Sequence, residues 1–331
     1  MSETTSTTTS TSTSTTTAAT ATRPPEPDFA AITPAELRTY RDAENRFRAS
    51  DAARAILGEP HPGAAIAWQR IALPGRDLPV RVYRPAPPEG GARTDLPLVV
   101  HVHGGGFVGT AAQCDWTSSH LAARLPALVV SVEHRLLAPD SPLAHAADDG
   151  WDVLRHVVRH AARWGVDPAR VAVFGESCGA LISALTAVRA REAGLELRAQ
   201  VLVNPVVDVT ESMPDYPSMA EYADRPTRAL PLLRLLRRLA VPPGADAAAV
   251  SPLFAADLGG LAPALLVVPT QDAVADHGRR YAERLRAAGT PVRLSEYPGA
   301  KHAFLTLPGV EPQAAAAQAE ILAYLRAALT K

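Results

Sequence analysis

The apolar run Val171–Phe174 meets Gly175-Glu176-Ser177-Cys178-Gly179, and the helix-forming stretch Ala180–Ala190 follows directly. A Gly-x-Ser-x-Gly between a strand and a helix demands a sharp turn. Side chains at its outer positions would collide with neighbouring backbone, so those positions must be glycine. The turn lifts one serine hydroxyl above a sheet, at the positive end of a helix dipole. The junction therefore constrains the fold around it and directs the search for groups that could act on the hydroxyl.

The rest of the chain suits such a sheet. Strand-like runs lie at Leu96–Val102, Leu128–Glu133, Arg170–Phe174, Gln200–Val203, Ala264–Val268 and Val292–Tyr297. Helix-like stretches alternate with them at Trp116–Leu125, Ala146–Trp164 and Asp276–Ala288, and Pro312–Leu329 closes the chain. Near-continuous Val/Leu strands alternating with helices predict an α/β fold, its mostly parallel sheet covered on both faces. Upstream, Ala67–Ala72 and Leu78–Arg84 flank Pro74-Gly75 and predict an antiparallel hairpin, which brings the sheet to eight strands. Residues 33–58 read as helical, with Thr33 as the cap and Leu37, Tyr40, Phe47 and Ala55 at roughly helical spacing.

At 331 residues and 47% hydrophobic, the chain fits one large domain with an embellishment. A net charge of −1 argues against nucleic acid and against an anionic membrane surface. No apolar run approaches the roughly 20 residues that span a bilayer. Two cysteines, Cys114 and Cys178, are too few for a disulfide framework and predict free thiols in a cytoplasmic setting. Residues 1–27 form a Ser/Thr-rich stretch ending in the Pro-rich hinge Arg23–Pro27. They lack the charged start and apolar core of a secretory signal and predict a disordered tail, a glycosylated or targeting role being the alternative.

Residues 210–250 contain no strand. Within Pro226–Leu239, leucines interleave with arginines and predict an amphipathic helix packed on the domain, in one form a lid shared with residues 28–58. An interfacial membrane helix fits less well. The arginines and leucines do not separate cleanly onto two faces in this reading, and Pro231 confines any helix start to its own neighbourhood.

A serine hydroxyl is a weak nucleophile at neutral pH. It needs a base to take its proton and an acid to orient that base. Behind the elbow these are expected in the order acid, then histidine. Asp272 lies just past the strand that starts at Ala264, at the carboxyl end where sites in open α/β sheets gather. Asp276 is the alternative, but it looks better placed to cap the next helix or brace the loop. His302 follows the last strand and the turn Pro298-Gly299, whereas His277 adjoins the acid loop.

The tetrahedral intermediate of acyl transfer also needs donors for its oxyanion, each worth roughly 3–4 kcal/mol. His103-Gly104-Gly105-Gly106-Phe107 directly follows a strand, and consecutive glycines let amides turn inward. A phosphate loop would need a Lys-Ser/Thr or a G-x-G-x-x-G spacing, and neither is present. The amide of Cys178 is a further donor. His103 reads as a ring that holds the loop by hydrogen bonding. Cys178 as an alternative nucleophile is disfavoured, because the elbow presents Ser177 and the adjacent side chain faces elsewhere.

These motifs together resemble the bacterial hormone-sensitive-lipase-like esterases, α/β-hydrolases marked by a His-Gly-Gly-Gly loop and a Gly-Asp-Ser-Ala-Gly-Gly elbow. The matching segments are His103–Phe107, Gly175–Gly179 and Val132–Asp140. Asp148-Asp149, Ser251-Pro252-Leu253, Asp272 with Asp276, and His302-Ala303-Phe304 match as well. The resemblance implies an α/β-hydrolase core at 59–209 and 251–331, with a helical cap from 28–58 and 210–250. It implies catalysis by Ser177, Asp272 and His302 and an oxyanion hole from the amides of Gly105, Gly106 and Cys178. It further implies no metal, no cofactor, and short- to medium-chain carboxylic esters as substrates, cleaved through an acyl-enzyme. Members of the family often pair through an edge strand or the last helix, so a homodimer stays open. Amide, carbamate or lactone hydrolysis would use the same triad. A non-catalytic receptor, like the plant gibberellin receptors that resemble this family, would have lost the histidine. Departures from the pattern are Glu176 for Asp, Cys178 for Ala, Ala180 for Gly, and His134 where Tyr is common.

Overall fold

A computed structural model describes residues 22–87, 94–222 and 229–330. Residues 1–21 of the expected tail and 223–228 of the expected insertion lie outside them.

Among the described residues one eight-stranded sheet organises the chain. Its strands are β1 (Ala64–Leu73), β2 (Arg76–Pro85), β3 (Leu96–Val102), β4 (Leu128–Val132), β5 (Val166–Glu176), β6 (Ala199–Val203), β7 (Ala264–Gln271) and β8 (Val292–Lys301), in the order β1-β2-β4-β3-β5-β6-β7-β8. β2 runs antiparallel to both β1 and β4, and the pairings from β4 through β8 are parallel. The predicted hairpin forms, with Gly75 at φ +74 in its turn, a conformation glycine adopts without strain.

The inner strands read as unbroken apolar runs because both faces are covered. Leu98, Val100 and Val102 pack on one side against α4 (Leu143–Arg159) and α6 (Cys178–Glu192). Val99 points to the other side, with α3 (Asp115–Arg124) and α10 (Ala314–Leu329). Each fully buried Val or Leu contributes about 1.5–3 kcal/mol, so these layers hold most of the hydrophobic stabilisation. A buried ion cluster pins the β4–α4 connection. Asp149 is fully buried on α4, accepts the Arg135 backbone N–H at 2.8 Å, and pairs with the guanidinium groups of Arg135 and Arg76 at 2.9 Å each.

Three helical expectations are revised. Residues 33–58 form two helices, α1 (Pro34–Arg48) and α2 (Asp51–Leu57). Thr33 and Glu36 make a capping box at the start of α1, and the Ser50 side chain caps the amide of Ala53, starting a new helix where one continuous helix was expected. The stretch expected at Ala146–Trp164 breaks at His160 into α4 and the single turn α5 (Ala161–Trp164). In the insertion, α7 (Pro217–Tyr222) precedes α8 (Ala229–Ala240). On α8 the arginines and leucines do separate. Arg234 and Arg238, four residues apart, are exposed, Leu235 is buried, and Leu232, Leu236 and Leu239 are half-buried. Sequence interleaving hid a face that a 3.6-residue period creates. α9 (Ala275–Ala287) links β7 to β8.

No helix among the described residues is long and apolar enough to cross a membrane. Cys114 and Cys178 are both free thiols, as expected.

Candidate active site

The elbow is dictated by sterics. A Cβ on Gly175 would fall 2.3 Å from the carbonyl oxygen of Gly179, and one on Gly179 would fall 2.1 Å from that of Val102. Ser177 itself sits at φ +54, ψ −119. Such a conformation costs a non-glycine residue on the order of 1–3 kcal/mol and persists only where the surroundings over-determine it. The Ser177 amide is held by the Val203 carbonyl at 2.9 Å, which ties the bend to the end of β6.

Three loops at the carboxyl ends of β5, β7 and β8 bring Ser177, Asp272 and His302 into one hydrogen-bonded line. His302 Nδ1 lies 2.8 Å from Asp272 Oδ2, and His302 Nε2 lies 2.9 Å from Ser177 Oγ. A carboxylate only accepts, so Nδ1 carries the proton and Nε2 is left to accept from the serine hydroxyl. Asp272 is buried, and its other oxygen accepts the Val274 amide at 3.0 Å, which fixes the carboxylate. Ala303, at φ +62, makes the left-handed bend that turns the chain immediately after His302.

Electrostatics favour a proton-accepting ring. Burial works against a charged His302, while Asp272, by charge and hydrogen bond, and Glu176, by charge, work for it; the balance lifts its pKa above 6.5. The side chain keeps 39% of its surface exposed, so solvent screens part of that lift.

The competing residues are engaged elsewhere. Asp276 braces α7, accepting the Ser218 amide at 2.9 Å and pairing with Arg279 at 2.9 Å. His277 is buried and neutral, its pKa pushed down to about 4 by desolvation, and its Nδ1 accepts the Val207 amide at 3.3 Å. His103 donates from Nδ1 to the Gly104 carbonyl at 2.9 Å and stacks on His134 with ring centres 4.4 Å apart. Burial and the neighbouring His134 hold His103 well below its ordinary pKa, so it serves as a neutral donor. His134 thereby acquires a contact for which its sequence offered no reading.

The glycine loop lies against the elbow. A Cβ on Gly104 would come 2.8 Å from the Glu176 carbonyl oxygen. Gly105, Gly106 and Phe107 all adopt positive φ, at +106, +61 and +57. Leu232 and Leu236 of α8 face Gly106, 3.7 and 3.9 Å from where its Cβ would stand. The Cys178 thiol is buried and packs in the main core cluster. Desolvation raises its pKa by more than the neighbouring backbone amides, Phe107 first among them, lower it. A thiol held protonated is a poor nucleophile.

Sequence reasoning undervalued Glu176, treating it as a mild exchange for Asp. It is fully buried, and Thr306 Oγ1 donates to its carboxylate at 3.0 Å. The residue before Ser177 is thereby tied to the 3-10 turn Phe304–Thr306, which follows His302. The signal was an acidic residue at a position inside the core. Among the described residues, His101, Cys114 and Glu176 form the one buried group with metal-ligand donor types, all within 4.8 Å. Thr306 holds Glu176 Oε2, while Oε1 lies 3.6 Å from His101 Nε2 and 4.0 Å from Cys114 Sγ, and burial drives the Cys114 thiol well above its ordinary pKa, against the thiolate that a metal requires. The group reads as an internal hydrogen-bonded cluster.

Among the apolar residues of segments 28–58 and 210–250, Phe29 and Leu37 pack inside a cluster with Leu235 of α8. Tyr216 turns its hydroxyl onto Asp208 at 2.7 Å. Tyr222 and Leu230 pack against the main core.

A family model described as the alpha/beta hydrolase fold matches residues 99–306, from the strand before the glycine loop to the turn after His302. The chain belongs to this family. It is 39% identical over 261 residues to the carboxylesterase NlhH of Mycobacterium tuberculosis, covering 76% of this chain and 79% of that protein. The esterase LipI of the same organism is 34% identical over 278 residues, covering 81% and 84%. Among solved structures, the ester-hydrolase EH1AB1 from the metagenome of Lake Arreo superimposes with a TM-score of 0.81 at 30% identity, covering 92% and 94%. The hormone-sensitive-lipase-like resemblance drawn from the motifs is borne out, and the relatives carry esterase names.

Proposed function

We propose that this protein is a serine carboxylesterase that cleaves small, uncharged, short- to medium-chain carboxylic esters through an acyl-enzyme. The observation that carries this reading is the line from Asp272 Oδ2 to His302 at 2.8 Å and from His302 to Ser177 Oγ at 2.9 Å. In this mechanism Ser177 Oγ attacks the ester carbonyl as His302 Nε2 takes its proton. Asp272 holds the tautomer and stabilises the imidazolium. The amides of Gly105, Gly106 and Cys178 receive the oxyanion. His302 then protonates the departing alcohol, and water, activated by the same ring, hydrolyses the acyl group from Ser177. Every proton is carried by the chain's own groups, and no step calls for a metal or cofactor.

Residues 28–58 and 210–250 act as the cap. The half-buried Leu232 and Leu236 beside Gly106 support an apolar acyl or alcohol group, since charge would be desolvated there without a partner. Two free thiols in the core support a reducing, cytoplasmic setting. The test is Ser177→Ala assayed on short p-nitrophenyl esters. Loss of turnover in a folded variant supports the assignment, and turnover at the wild-type rate rules it out. A panel of esters graded by acyl length, with matched amides and lactones, then reads out substrate choice.

A further inference from the structure

The glycine loop takes three positive φ values in succession, +106 at Gly105, +61 at Gly106 and +57 at Phe107. Glycine enters such angles freely and leaves them as freely, so the peptides of this run need outside support to hold one orientation. That support comes from α1. Glu44, buried on α1, pairs with Arg48 one turn later at 3.0 Å and with Arg23 at 3.2 Å. The Arg48 guanidinium, aimed by Glu44, donates from Nη1 to Gln113 Oε1. Gln113 is buried and donates from Nε2 to the Gly104 carbonyl at 3.0 Å. The amide's two ends cannot be exchanged here, because a guanidinium only donates and a carbonyl only accepts. The loop closes tightly on the pair. A Cβ on Gly105 would stand 2.9 Å from Arg48 Nη1, and one on Gly109 only 1.9 Å from Gln113 Oε1.

The Gly104 carbonyl and the Gly105 N–H belong to one peptide plane, and in a trans peptide they point in opposite directions. Gripping the carbonyl therefore aims the amide. His103 Nδ1 grips the same oxygen at 2.9 Å, so two donors fix it. We propose that Glu44, Arg48 and Gln113 form a relay by which the N-terminal helix α1 orients the Gly104–Gly105 peptide, so that its N–H meets the developing oxyanion. Arg48 and Gln113 are positioning residues, since neither touches the reacting atoms. The proposal rests on the esterase reading above. It adds that the N-terminal segment sets the rate of the chemical step and is more than a cover over substrate.

Gln113→Glu and Arg48→Met in the full-length protein test it. A carboxylate at 113 still pairs with Arg48 but cannot donate to the Gly104 carbonyl. On a short p-nitrophenyl ester, kcat should fall about ten- to a hundredfold in either variant, with KM within about threefold. Inhibition by an alkyl trifluoromethyl ketone, whose hemiketal oxyanion needs the same amide, should weaken by the factor lost in kcat/KM. A purely structural role would lower the melting temperature without moving that ratio. The double variant should lose little beyond the worse single, because both act on one peptide. Folded Gln113→Glu with wild-type kcat and ketone affinity overturns the relay, even if Arg48→Met fails to fold. Wild-type protein that a fluorophosphonate does not label at Ser177 would instead overturn the esterase reading beneath it.

Discussion

Ser177 and Asp272 stand at the ends of strands buried on both faces and His302 at the end of the half-exposed edge strand β8, whereas, among the described residues, α1 and α8 meet above them over a small cluster whose buried apolar side chains are Phe29, Leu37 and Leu235. The lower region is held by layers of Val and Leu and by the fully buried Asp149 with its two arginines. The upper region depends more on polar ties. Arg41 of α1 donates to the Leu137 carbonyl at 2.8 Å, from a site so desolvated that its pKa drops to about 10. The contrast teaches a division of labour. Chemistry needs groups fixed to fractions of an ångström and sits on the rigid layer. Under the proposed function, substrate choice tolerates looser packing and falls to the helices above, where opening costs less, while α1 also reaches the glycine loop through Arg48 and Gln113.

The predictions probe that contrast. Removing the nucleophile should have the largest effect: Ser177→Ala should cut kcat about ten-thousandfold or more while the melting temperature holds, read by steady-state kinetics and calorimetry. Next comes the buried ion cluster, where Asp149→Ala leaves the Arg135 amide without its acceptor and takes one carboxylate from both Arg135 and Arg76, although Arg76 keeps Asp152; it should cost about 3–5 kcal/mol by urea unfolding. Truncating each region's apolar packing comes third. Leu266→Ala, at a fully buried position of β7, should cost about 3–5 kcal/mol, whereas Leu235→Ala on α8 should cost about 2 kcal/mol and appear chiefly in KM. Equal costs for the two leucines would erase the distinction between the regions.

The smallest expected effect concerns pH. Only the neutral imidazole accepts the serine proton, so kcat/KM should rise with pH through an apparent pKa above 6.5. Asp272 and Glu176 are the acids that raise it, and Asp272 does so by direct contact. Glu176→Gln keeps an acceptor for Thr306 but removes a negative charge acting on the ring, so that midpoint should move down. An unmoved midpoint would leave Glu176 with a packing role alone.

Much of the lower region was legible in the sequence, because its rules are local. The elbow announces itself through glycines that no other residue can replace, the acid follows a strand whose apolar run marks it as buried, and the histidine follows the half-exposed edge strand β8 and its Pro298-Gly299 turn. Asp276 and His277 could be set aside by position before their contacts were seen. The upper region was harder to read. Its helical face on α8 emerges only when Arg234 and Arg238 are placed four residues apart on a turn. The break at Ser50 had a signal, a serine followed by Asp51, which helical spacing overrode. The pairing of Arg48 with Gln113 spans 65 residues and has no local signature, since only the fold brings the two together. Glu176 was visible as an acid in an apolar setting, but its partner Thr306 lies 130 residues away.

The central claim is that the Ser177 hydroxyl is the group activated by His302. Labelling the intact protein with an alkyl fluorophosphonate, followed by peptide mass mapping, tests it most directly. The account predicts one adduct per chain, on the peptide carrying Ser177, abolished in His302→Ala. An adduct on any other residue, or equal labelling without the histidine, would contradict it.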